Sequence, residues 1–159
     1  MKWIKYTIAI PFALCVLFLQ GLGRCFRLTY KQISVVFNLW IQGGMLVLSA
    51  SLPLEAYMAR IMYDVPHDGG RSTWELIVVF ALLGYFLLYL WLYVLTLRHY
   101  GGSFDWAFDR CVSDLQKVAH AWCCSYQCVN LIIFVGFFLI LIGINLVLTG
   151  LVVTMPMSC

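Results

Sequence analysis

The sequence predicts an all-α integral membrane protein, a bundle of four transmembrane helices with an amphipathic interfacial helix between the third and the fourth. Three observations lead to this fold class. Hydrophobic residues make up 64% of the 159 residues and charged residues 11%, whereas a soluble domain is about half apolar and about a quarter charged. Four stretches without Lys, Arg, Asp or Glu approach or exceed the roughly 20 residues that a helix needs to cross a bilayer. A fifth segment, before the last stretch, is apolar along one side only.

The predicted spans cover approximately residues 6–23, 32–52, 76–97 and 130–154. Little sequence lies outside them, so we expect a single membrane domain, residues 1–159, without a separate soluble domain. The first stretch follows a positively charged start, which is also typical of a secretory signal peptide. Because Arg24 stands where signal peptidase prefers a small residue, the sequence favours an uncleaved first span.

The second span is the most polar of the four. It contains Asn38, Gln42, Ser49 and Ser51, and polar groups at membrane depth need partners in other helices or in a wet cavity. Hydrogen bonding between helices is the simpler interpretation, and a path for a substrate or ion is the alternative. We expect Pro53 to end or bend this span, and residues 54–62 to form a short interfacial helix of their own.

The third span is rich in aromatic residues, including Tyr85, Tyr89 and Tyr93. We expect ordinary packing and lipid-facing roles for these rings rather than a groove for a quinone or lipid. Their hydroxyls are candidates to bond the amides of the second span.

The amphipathic helix is predicted at approximately residues 104–126. Gly101 and Gly102 interrupt the chain before it, Ser103 is a suitable N-cap, and Asp105 suits the first turn. Apolar residues then recur at three- and four-residue steps. We expect the helix to lie on the membrane surface or to dock under the bundle. A binding face for a soluble partner is the alternative.

The cysteines offer a possible site for chemistry, since the chain has seven of them. His120, Cys124 and Cys128 are spaced by four residues, so on a continuous helix they share one face, and such ligands suit Zn²⁺ or Cu⁺. Three ligands along one helix do not enclose a tetrahedral site, so we predict no metal and no cofactor. Small-residue packing is the simplest role for these cysteines. Lipidation or redox chemistry of Cys123 and Cys124 is the alternative.

The fourth span carries a predicted packing seam. Gly136, Gly143 and Gly150 recur every seven residues and so lie along one helix face. Such glycines let a neighbouring backbone approach closely, and Asn145 and Thr149 add polar groups that we expect beside the seam. The seam serves either the internal bundle or a second copy of the protein.

The predicted function is that of a non-enzymatic subunit, accessory protein or scaffold of a membrane complex. Its partners would be the lipid bilayer and either further copies of itself or a larger complex. The net charge of +3 is small and dispersed, which argues against a nucleic-acid partner. A small oligomeric transporter or pore using the second span is the alternative, and a membrane enzyme or thiol-redox protein comes third. The expected location is the cytoplasmic membrane of a bacterium.

Overall fold

The computed structural model describes residues 2–63 and 73–155, with side chains described for residues 8–62 and 73–155. Throughout these residues the regular structure is helical. Four helices within them are long and apolar enough to cross a membrane, namely Ile8–Phe26, Tyr30–Met62, Thr73–His99 and Tyr126–Thr154. By length and composition, the predicted all-α class and the four spans are therefore confirmed.

Seven α-helices and two π-helical segments make up the described chain. The α-helices are α1 Lys2–Phe26, α2 Tyr30–Val35, α3 Gly43–Tyr63, α4 Thr73–His99, α5 Phe104–Ala121, α6 Tyr126–Leu131 and α7 Phe138–Thr154. The first π segment, Val36–Gln42, joins α2 to α3, and the second π segment, Ile132–Phe137, joins α6 to α7. Nothing in the hydrophobic pattern predicted either π segment. Such segments are rare in proteins, and those that occur are frequently located at functional sites.

The start of α5 is as predicted. The Ser103 hydroxyl accepts a hydrogen bond from the backbone N–H of Trp106 at 3.3 Å, and Asp105 lies in the first turn. Both groups stabilise the start of the helix. The Ser103 hydroxyl satisfies a backbone N–H that has no partner within the helix. The negative charge of Asp105 interacts favourably with the positive end of the helix dipole.

The predicted C-terminal end of this helix is wrong, because α5 stops at Ala121 rather than continuing to residue 126. Cys123 has a left-handed backbone with φ of 51°. The N–H of Cys124 bonds the carbonyl of Ala119 at 3.0 Å, and the N–H of Cys123 bonds that of His120 at 3.2 Å. This is a Schellman cap, which closes a helix. Ser125 then caps α6 by accepting from the N–H of Cys128.

The second span also differs from its prediction, because α3 continues through Pro53 to Tyr63 without a separate interfacial helix. A proline inside a helix loses one backbone hydrogen bond. Beyond it, Tyr57 and Ile61 are each only 8% exposed, in a core that includes Leu82 and Val152. Burial of these side chains offsets the lost bond and keeps the segment helical.

The described residues form two compact units. The first unit contains residues 2–43 and 96–139, and the second contains 44–63, 73–95 and 140–155. In the first unit, one buried cluster brings Val35 and Leu39 against Ala107, and another brings Leu115 and Ala119 against Val129. The amphipathic pattern of α5 therefore turns apolar residues towards the core of this unit. That α5 also lies at a membrane surface stays a prediction.

Candidate functional site

The first unit contains a partly open cavity of about 300 Å³. Its walls come from α1, from α2 with the first π segment, from α5, and from α6 with the second π segment and the start of α7. Most of the lining is apolar, as Phe12, Val16, Leu19 and Leu115 illustrate. Ring contacts fix two of the walls: Phe12 meets Tyr126 with centroids 6.4 Å apart, and Phe18 meets Phe37 at 5.9 Å. Both are edge-on contacts, which aromatic rings favour.

One row of polar side chains crosses this apolar lining. Ser34, Asn38 and Gln42 are spaced by four residues and all line the cavity. Asn130 of α6 also lines the cavity, and its amide lies 3.4 Å from the hydroxyl oxygen of Tyr126. The cavity is therefore amphiphilic, with neutral hydrogen-bonding groups among aliphatic and aromatic ones.

Ser34 stands out within this row. It is 4% exposed, and among the described residues its hydroxyl oxygen has no hydrogen-bond partner. A buried polar group left unpaired costs about 1–3 kcal/mol. The unpaired Ser34 hydroxyl is therefore a destabilising feature of the fold, and it lies beside the cavity.

The two π segments meet at the cavity. The Gln42 amide donates to the backbone carbonyl of Phe134 at 3.0 Å, so a side chain of the first π segment satisfies a carbonyl of the second. Because a π segment departs from the regular i→i−4 bonding of the α-helix, partners of this kind stabilise it. Phe37, Leu39 and Val135 of the same segments also line the cavity.

The cavity is electrically neutral. None of the described residues that line it is Lys, Arg, Asp, Glu or His. The Cys111 thiol is part of the lining, and burial, with a smaller contribution from Asp114, raises its pKa to about 11. The thiol is therefore protonated at neutral pH and is a poor nucleophile. This arrangement suits the binding of a neutral molecule better than acid–base or thiolate chemistry.

Ion pairs lie along the exposed side of α5. Lys31 pairs with Asp109 at 2.9 Å, and Asp114 pairs with Lys117 at 3.0 Å and with His99 at 3.4 Å. The hydrogen bond from Lys117 and the one from His99 hold the pKa of Asp114 below its usual value. Exposed pairs of this kind contribute little individually. They do link α5 to α2 and to the end of α4.

The second unit contains a separate polar cluster centred on Asn145, which is fully buried. Its amide nitrogen donates to the Ser49 hydroxyl at 2.7 Å, and its amide oxygen accepts from the Tyr85 hydroxyl at 2.5 Å. The Tyr89 hydroxyl lies 3.2 Å from that of Tyr85. The cluster thus joins the second, third and fourth spans. The Tyr85 hydroxyl bonds an amide of the fourth span, whereas the sequence predicted bonds to the amides of the second span.

The predicted polar residues of the second span thus fall into different surroundings. Asn38 and Gln42 line the cavity of the first unit, whereas Ser49 belongs to the Asn145 cluster. Ser51 donates to the carbonyl of Leu48 at 2.8 Å and lies 2.6 Å from the Glu55 carboxylate. Three of the four side chains therefore have partners within their own unit.

The glycine seam and Asn145 lie on nearly opposite sides of α7. At 3.6 residues per turn, Gly143 is about 200° and Gly150 about 140° from Asn145 around the helix. Asn145 is therefore not beside the seam, because it turns towards Ser49 and Tyr85. No described atom lies within 4 Å of the place where a Cβ would stand at Gly143 or Gly150. At Gly136 the nearest such atom is the Leu131 carbonyl oxygen of the same span, at 4.0 Å.

The cysteine and histidine candidates are not aligned. His120 lies in the last turn of α5, Cys124 lies in the connection after it, and Cys128 lies in α6. Since the Schellman cap interrupts the helix, these residues do not share the single face on which the metal hypothesis depended. Within residues 2–63 and 73–155, no group of three His, Cys, Asp or Glu side chains is placed to hold a metal ion.

Sequence reasoning missed Ser34, Asn130 and both π segments. Ser34 extends the four-residue spacing of Asn38 and Gln42 by one step, so that spacing was an available signal. The sequence offered no signal for the two π segments, because π and α segments share nearly the same hydrophobic pattern. No protein-family model, curated protein or solved structure matches this chain.

Proposed function

We propose that the protein is a non-enzymatic accessory or scaffold subunit of a membrane complex, and that it resides in the cytoplasmic membrane of a bacterium. The observation that supports the subunit role is the outward face of α7. Gly143 and Gly150 leave space there that no described atom of the chain occupies.

The Asn145 cluster sets the direction of this face. Because Asn145 is held by Ser49 and Tyr85, rotation of α7 about its axis would break two buried hydrogen bonds. The glycines therefore point away from the core of the second unit. Around Gly143 runs a shallow apolar groove, lined further by Ile140, Ile144, Val147, Leu148 and Leu151. A transmembrane helix of another chain fits such a groove, since close backbone approach is the main source of helix association in lipid.

The same contacts favour a subunit over a pore. A pore built on the second span needs polar side chains that are available to water or to an ion. Gln42, Ser49 and Ser51 instead form hydrogen bonds inside their own units.

The test is purification from native membranes in a mild detergent, followed by measurement of the particle mass and identification of the polypeptides that co-purify. We expect the wild type to migrate as an assembly, with itself or with another membrane protein. The Gly143→Leu variant should dissociate, because a side chain then fills the groove. Gly84→Leu is the matched control, since Gly84 is another span glycine with no described atom within 4 Å of its Cβ position. A monomeric wild type, or equal behaviour of the two variants, would contradict the proposal.

A further inference from the structure

We propose that the cavity of the first unit is a binding site for an uncharged amphiphile with a single aliphatic or prenyl chain. A hydroxyl, carbonyl or amide group of this molecule would bond the polar row Ser34, Asn38 and Gln42. Its chain would lie against the apolar lining. This inference goes beyond the subunit role and does not depend on it.

The polar row specifies the head of the ligand. Ser34 is buried, lines the cavity, and has a hydroxyl without a partner among the described residues. A rotation of this hydroxyl towards the cavity would let a polar atom of a ligand supply the missing hydrogen bond. Asn38 follows one turn later in the same helix, and Asn130 of the fourth span also lines the cavity. Hydroxyl and amide groups both donate and accept. They therefore suit a neutral group that also donates, accepts or does both.

The described lining contains no charged residue, and this indicates that the head group of the ligand is neutral. A carboxylate or phosphate held here would be removed from water without a cationic partner, which is strongly unfavourable. The nearby cation Lys31 is paired with Asp109 and does not line the cavity. A neutral head is therefore selected over a free fatty acid or an acidic phospholipid.

The size of the cavity limits the tail. A group the size of a water molecule occupies roughly 30 Å³. The cavity of about 300 Å³ therefore holds about ten such groups. A single chain segment is therefore enough to fill the cavity. Since the cavity is partly open, a longer chain can continue out of it into the surrounding lipid.

The backbone supports a ligand site at this place. Both π segments lie in the wall, and the Gln42 bond to the Phe134 carbonyl holds them together. Local widening of a helix displaces side chains from their regular positions and is frequent where a protein binds a ligand.

The test uses a neutral photoreactive probe, hexadecanol carrying a diazirine and an alkyne, added to the full chain in phosphatidylcholine vesicles. After illumination, mass spectrometry locates the labelled residues. We expect labelling concentrated on residues that line the cavity. An excess of unlabelled monoacylglycerol should reduce it, and an equal excess of palmitate should reduce it much less.

Two variants test whether the probe binds in this cavity and whether its head group bonds the polar row. Val16→Trp fills the cavity and should lower labelling about tenfold, the effect of a moderate packing penalty. Leu17→Trp is its matched control, because Leu17 is the next residue of α1, is 63% exposed and does not line the cavity. Asn38→Leu keeps the volume but removes a hydrogen-bonding group, so labelling by the alcohol should fall about fivefold. Labelling by the corresponding diazirine alkane should not change.

Three results would overturn the proposal. The first is labelling spread evenly over lipid-facing residues of the wild type. The second is equal labelling of the Val16→Trp and Leu17→Trp variants. The third is competition by palmitate as strong as that by monoacylglycerol, which would remove the selection for a neutral head. The wild-type map and the competition need no variant, so they decide the matter even if Val16→Trp does not fold.

Discussion

The hydrogen bonds of Asn145 should contribute measurably to the stability of the second unit. Asn145 is fully buried, and its two side-chain bonds, to Ser49 at 2.7 Å and from Tyr85 at 2.5 Å, connect three spans. The informative perturbation is a double-mutant cycle between Asn145→Ala and Ser49→Ala. Each single variant loses the shared bond, and the cycle separates that bond from the loss of packing.

The expected magnitude follows from the number of bonds. Hydrogen bonds between membrane helices average about 0.6 kcal/mol and reach about 1.7 kcal/mol. The coupling between Asn145 and Ser49 should therefore lie in about that range. Loss of both side-chain bonds in Asn145→Ala should cost about 1–3 kcal/mol before any packing term. Tyr85→Phe, which removes one hydroxyl and leaves the ring, should cost about 1 kcal/mol.

The assay is reversible unfolding in mixed micelles, with the free energy of unfolding extrapolated to zero denaturing detergent. Leu146→Ala is the control, because Leu146 is the next residue of α7, is 55% exposed and loses more side-chain volume than Asn145 does. If Asn145→Ala costs no more than Leu146→Ala, or if the coupling is close to zero, the cluster does not hold the spans together. The direction assigned to the glycine face would then lose its physical basis.

Three further predictions concern other contacts. Arg60 donates to the carbonyls of Val152 at 2.8 Å and Val153 at 3.1 Å, near the negative end of α7; Arg60→Met should therefore lower the free energy of unfolding by about 1–2 kcal/mol, and Arg60→Lys by less, in the same assay. Because the pKa of the Cys111 thiol is raised to about 11, only about a thousandth of it is thiolate at pH 8; alkylation of a variant with Cys111 as its single cysteine should accelerate up to about pH 11, and a plateau by pH 9 would be inconsistent with that pKa. A spin label at Leu115, which is 6% exposed, should be less accessible to a polar relaxation agent than one at Asp109 on the exposed side, and equal accessibility would mean that α5 does not pack as described.

The end of α5 shows why the spacing of His120, Cys124 and Cys128 alone could not predict a shared helix face. The sequence between Ala121 and Tyr126 contains neither glycine nor proline, so no strong local signal interrupts the helical pattern. Yet Cys123 takes the left-handed conformation that glycine usually takes in this cap. A similar cap ends α1, where Arg27 has φ of 56° and the N–H of Leu28 bonds the carbonyl of Gly23 at 2.8 Å. In both caps a non-glycine residue takes a left-handed conformation that such residues ordinarily disfavour.

The number of spans, their approximate positions and the N-cap at Ser103 were determined by the sequence alone. These features depend on local quantities, namely the length of an apolar run and the chemistry of a single capping side chain. The sequence also identified Asn38, Gln42, Ser49 and Ser51 as polar groups that need partners. It did not determine which partners they find, because a hydrogen bond between residues 96 positions apart, as between Ser49 and Asn145, depends on how the helices pack.

Only the tertiary structure decided the continuation of α3 through Pro53, the end of α5 and the two π segments. In each of these places the local preference is weak or unfavourable, and burial of Tyr57, the Schellman cap at Cys123 or the bond from Gln42 to Phe134 outweighs it. The cavity has the same origin. Its polar row is visible in the sequence as a spacing of four, but the walls that enclose this row come from segments more than 100 residues apart. Such an enclosure exists only after packing has fixed the directions of the helices.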